Sequence, residues 1–161
     1  MLEITNLTKR KVKQKKLINL SEAFFRKYKI IKAEVSLVFI ADRKSRTLNN
    51  TYRFKNKVTD VLSFNNPDFK LNKDNFLGEI FINLEEVSRT HKYQEMFQEM
   101  DLELFFSKKT KLQQEEYLLT FIFIHGLLHL IGFNDEEEKG RRKMLKLGYD
   151  FLSSYSLKNH H

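Results

Sequence analysis

Two histidines four positions apart in an apolar run, then a glycine, then a carboxylate, constrain this chain more than any other feature of its sequence. The run is Phe121-Ile122-Phe123-Ile124-His125-Gly126-Leu127-Leu128-His129-Leu130-Ile131-Gly132-Phe133-Asn134-Asp135. At helical pitch the two imidazoles leave one face, and Gly132 can end the helix so that the chain folds back and offers Asp135 to the same point. Two histidines and one carboxylate are three ligands for one divalent ion. They leave a coordination position open to water, as in a catalytic zinc site and unlike a closed structural one.

Two histidines in an apolar helix can equally be core residues, and a pair four apart carries little weight alone. The conjunction favours a shared cation: the pair, the glycine and the acid fall together in a chain that has only five histidines. A cation satisfies both ring nitrogens, whereas burying two uncompensated imidazoles is unfavourable. The residue after the first histidine, which is the glutamate general base in the metalloprotease pattern, is Gly126 here, so a peptidase would lack its proton carrier.

With 161 residues the chain is long enough for a substantial core, and 1–161 reads as a single domain without repeat or linker. No cysteine is present, which excludes disulfides and thiolate metal sites and fits a reducing compartment. No stretch resembles a signal segment or a membrane span, so the expected location is the cytoplasm, with no membrane partner. Lysine and arginine exceed the acids by eight, which favours a polyanion such as nucleic acid. The basic positions Lys9, Arg10, Lys11, Lys13, Lys15 and Lys16 could supply phosphate contacts or form a solvated helix face.

Apolar alternation and spacing predict strands over 2–7, 34–40, 61–64 and 78–83, with a polar loop over 65–75. Helices are expected over 17–25, from Asp42 or Ser45 as cap to Tyr52, and over 84–100, 113–129 and 136–152. The segment 101–111 has no clear periodicity. Strands come first and helices dominate the rest, which predicts an α+β fold: a small mixed four-stranded sheet packed with about five helices. His160 and His161 read as a tail, native or from a tag.

At these residues the chain resembles the YbeY endoribonucleases, bacterial metalloproteins of ribosomal RNA maturation and ribosome quality control. Their signature His-Gly-x-Leu-His-Leu-x-Gly-Tyr-Asp-His is met at His125, Gly126, Leu128, His129, Leu130 and Gly132. The segments Leu48 to Phe64, containing Thr59-Asp60-Val61-Leu62-Ser63-Phe64, and Leu77-Gly78-Glu79-Ile80-Phe81-Ile82 resemble two further family segments in the family's order. The chain departs from the pattern at Asp135, where the family has its third histidine, at Asn134 for an aspartate, and at Val58 for a proline. The stretch 96–110 is longer than the family usually has.

The resemblance implies a zinc-dependent endoribonuclease that matures the 3′ end of small-subunit ribosomal RNA, with the ribosome or small-subunit proteins as partners. It implies one zinc ion per chain on His125, His129 and Asp135, and Arg53 in the active site, where a planar guanidinium suits a phosphate oxygen. Lys55 would assist in binding RNA as a point charge, and Asp60 would orient a ligand or serve structure. A carboxylate in place of the third histidine lowers the charge at the metal and makes its water less acidic. The alternative from another class is a non-catalytic ribosome-associated assembly factor whose metal ties the last helices together.

Overall fold

The computed structural model of the chain describes residues 1–70 and 75–158. Part of the expected 65–75 loop and both terminal histidines, His160 and His161, lie outside these residues. Chain order is β1 (Leu2–Asn6), α1 (Gln14–Lys27), β2 (Glu34–Ile40), α2 (Asp42–Arg53), β3 (Val61–Asn65), α3 (Pro67–Lys70) and β4 (Phe76–Asn83). Then come α4 (Leu84–Val87), a 3₁₀ turn (Thr90–Tyr93), α5 (Gln94–Glu99), α6 (Glu103–Ser107), α7 (Lys111–Leu130) and α8 (Glu138–Lys158). No helix among them is long and apolar enough to cross a membrane.

The strands form one mixed sheet in the order β1-β2-β4-β3. β1, β2 and β4 run parallel, and edge strand β3 pairs antiparallel with β4. A parallel neighbour requires a crossover, and α1 supplies it between β1 and β2. Leu17, Leu20, Ser21 and Phe24 recur at helical spacing and are buried. Strand alternation turns Val35, Leu37, Ile80 and Ile82 to the face that α7 covers. Phe123, Ile124, Leu127 and Leu128 of α7 are fully buried, and truncating any of them to alanine would destabilise the fold by about 2–5 kcal/mol.

α7 lies close against the sheet at Gly126. A methyl group there would lie 2.9 Å from Ile80 Cγ2 and 3.2 Å from Ser63 Oγ, so only glycine lets the helix sit this low on β3 and β4. α7 begins with a capping box, in which Thr110 accepts from Gln113 N and the Gln113 side chain accepts from Thr110 N.

Two expectations need correction. The helix expected over 84–100 is broken into α4, the 3₁₀ turn and α5. Asn83 caps α4 by accepting from Glu85 N and Glu86 N, and Arg89 then turns to Asp42 and Glu86 instead of continuing the helix. Nor does Asp42 or Ser45 cap α2, whose preceding residue is Ala41. Ser45 is buried and exchanges hydrogen bonds with the backbone of Thr59, and Asp42 accepts two bonds from Arg89 and one from Asn83. The unassigned segment 101–111 contains α6, anchored by the stacked rings of Phe97 and Phe106, 4.1 Å apart.

Candidate metal centre

The end of α7 builds the centre. Gly132, at φ 102°, donates to His129 O, and Phe133 N donates to Leu128 O, the two bonds of a Schellman motif. A residue without a Cβ is needed for this reversal. The chain turns back on itself there, and two consequences follow. Phe133 O comes within 3.1 Å of His129 Nδ1, which donates to it, leaving the lone pair of Nε2 free. Asp135 then arrives beside both imidazoles, in a loop fixed by Asn134 Oδ1 accepting from Glu136 N.

His125 Nε2 lies 3.1 Å from His129 Nε2 and 3.1 Å from Asp135 Oδ2, and His129 Nε2 lies 3.5 Å from the same carboxylate oxygen. Ligand atoms about 2.0–2.1 Å from a tetrahedral zinc ion are about 3.3 Å apart, so these three atoms have the spacing of one face of such a site. Two imidazole nitrogens aimed at each other at this distance need a proton or a cation between them. Among the described residues this is the group of histidine and acidic side chains that could hold a metal ion.

The electrostatics favour the ligand forms. Burial, and then the neighbouring His125, hold His129 below the ordinary imidazole value, so Nε2 is unprotonated at neutral pH. The hydrogen bond from His125 leads in holding the Asp135 carboxyl down at about 2. The side chains are 15%, 23% and 35% exposed for His125, His129 and Asp135, which leaves the group reachable from solvent on the carboxylate side.

Around the triad lies a cleft of about 240 Å³, walled by Thr59, Asp60, Val61 and Ser63 from the edge of the sheet and by Arg53 at the end of α2. Arg53 is exposed, and its charge reaches His129. Lys55 follows α2 in an exposed loop and does not line the cleft. Asp60 accepts from Val61 N at 2.8 Å and from the Tyr93 hydroxyl at 3.0 Å, a structural role. Burial and the Asp60 charge push the Tyr93 phenol up, so it stays a donor.

Sequence reasoning missed Tyr93, Ser63 and Arg141. All three line the cleft. The Ser63 hydroxyl is buried without a hydrogen-bond partner among the described residues, and Arg141 of α8 pairs with Glu99 of α5 at 2.6 Å. Gly126, at the position of a protease glutamate, is packed against Ile80 and Ser63, which leaves no room for that side chain. Much of the N-terminal basic run is neutralised away from the cleft: Arg10 pairs with Glu115, and Lys13 and Lys16 pair with Glu116. Glu115 is ten residues before His125 on α7, about 15 Å along the axis.

Comparison with known proteins places this geometry in context. A family model described as Endoribonuclease YbeY matches residues 3–156. The chain is 37% identical over 123 residues to Endoribonuclease YbeY of Thermodesulfovibrio yellowstonii, covering 74% of this chain and 65% of that protein, so it spans just under two thirds of that relative. It is 34% identical to the protein of the same name from Ehrlichia chaffeensis, covering 90% and 81% of the two chains. For the Pelagibacter ubique protein of that name the identity is 31%, with 94% and 93% covered. The solution structure of TM1509 from Thermotoga maritima shares the fold, with a TM-score of 0.53 and 23% identity over 99% of this chain and 94% of that one.

Proposed function

The chain belongs to the Endoribonuclease YbeY family, and on that premise we propose that residues 1–161 act as one metal-dependent endoribonuclease domain. The substrate we assign is ribosomal RNA, cut during maturation of the small-subunit 3′ end and ribosome quality control in the cytoplasm, with the small subunit as partner. The observation that carries this reading is the triangle of His125 Nε2, His129 Nε2 and Asp135 Oδ2, open on one side to a cleft that Arg53 borders.

The donor set fits zinc, one ion per chain: two imidazole Nε2 atoms and a carboxylate oxygen at tetrahedral spacing. Bound there, the ion would supply Lewis acidity to a phosphate oxygen or an attacking water. The chain's own residues do the rest. Phe133 O fixes the His129 ring and its tautomer. Arg53 gives a guanidinium to a non-bridging phosphate oxygen and holds the phosphodiester over the triad. Lys55, outside the cleft, adds a point charge for neighbouring phosphates. Asp60, held by Tyr93 and Val61, keeps the wall of the cleft in place.

Purified protein on structured ribosomal RNA tests the proposal. His125→Ala is expected to abolish cleavage, and Arg53→Ala to reduce it by about 10²–10³-fold, the range for removing a positioned charge-stabilising donor. Cleavage at the wild-type rate by both variants would show that the activity belongs to a contaminant.

A further inference from the structure

Phe54 holds two unfavourable states at once. It is 90% exposed, and it ends α2 in the left-handed region at φ 57°, ψ 30°. A side chain with a Cβ is strained there, and glycine or asparagine would close the helix without strain. An aromatic ring ordinarily offsets such strain by burial, and this one gains almost none.

Its surroundings suggest what the ring meets. Arg53 and Lys55 flank it, Lys57 follows, and none of these cations makes an ion pair among the described residues, in contrast to Arg10, Lys13 and Lys16. Arg53 also borders the cleft of the metal centre. Tyr52, 61% exposed, rests on Phe64 with ring centroids 5.0 Å apart. The end of α2 is therefore an aromatic ledge among free cations, beside the place where a phosphodiester would be held. Proteins that bind single-stranded nucleic acid combine the same two elements, cations along the backbone and exposed rings under the bases.

We propose that Phe54 is a base-stacking residue: an unpaired nucleobase of the RNA lies on its ring while Arg53 binds the adjacent phosphate. This rests on the nuclease reading for the identity of the ligand, but stacking is a binding event and is measured without cleavage. The left-handed backbone turns the ring out of the helix, so strain in the free protein is exchanged for a surface that the RNA covers.

The test measures binding of a short fluorescein-labelled oligouridylate by fluorescence anisotropy in EDTA, alongside thermal melts of the same proteins. Phe54→Gly is expected to weaken binding about ten-fold, within the range for loss of one stacked base, while its melting temperature stays level or rises as the strain is released. Phe54→Trp should bind as wild type, and Phe54→Leu should resemble the glycine variant. Replacing the stacked nucleotide by an abasic one should remove the difference between wild type and Phe54→Gly. Wild-type binding by Phe54→Gly overturns the proposal. Wild-type binding by Phe54→Leu also overturns it, because an aliphatic side chain would then serve the RNA as well as a ring. If binding depends on Phe54 but metal-loaded protein cuts no RNA, the stacking surface stands and the nuclease reading fails.

Discussion

Asp135 is the residue on which the proposed metal chemistry turns. Its carboxylate is brought within 3.1 Å of His125 and 3.5 Å of His129 by a reversal that Gly132 makes possible. If it is a ligand, Asp135→Ala loses metal, while Asp135→His, which restores three imidazoles, retains or tightens it; elemental content of the three proteins decides, and equal content removes Asp135 from the site. His125, His129, Gly132 and Asp135 were legible in the sequence because eleven consecutive residues encode them: the helical period aligns the pair, and the glycine sets the turn. Tyr93, Ser63 and Arg141 were not. They come from a 3₁₀ turn, an edge strand and the last helix, and only packing brings them to one cleft.

Among the elements, those with strong periodicity matched expectation: α1, the four strands and the apolar α7 all carry their burial pattern in the sequence. The helix expected over 84–100 failed because local propensity carries no record of Asp42, 47 residues before Arg89, which draws Arg89 out of the helical path. That contact ties the start of α2 to the segment after β4, and so helps to place α2, which carries Arg53. Its strength follows pH in a definite sense. The hydrogen bonds from Arg89 lead in holding Asp42 below its ordinary carboxyl value. The pair therefore contributes stability above that value and loses it as acid protonates the folded carboxyl. Asp42→Asn should destabilise by about 1 kcal/mol at pH 7, a partly exposed bidentate pair, and the gap to wild type should close below about pH 4. Urea melts across that range check this; a gap that stays constant with pH would show that charge is not what Asp42 contributes.

On the scale of the whole molecule, an excess of basic residues suggested a polyanionic partner, but composition could not say which cations are free. Tertiary structure separates them. Arg10, Lys13 and Lys16 pair with Glu115 and Glu116 near the start of α7, while Arg53, which makes no ion pair among the described residues, borders the cleft. The same α7 joins the two regions, one end carrying the acids and the other the histidines. What the fold then accomplishes is to set an edge strand, a helix end and a helix reversal around three donor atoms. Elemental analysis of protein lacking His160 and His161, as wild type and as His129→Ala, tests this account most directly. It predicts one divalent ion per wild-type chain and none in the variant; the same metal content in both proteins, or no metal in the wild type, would contradict it.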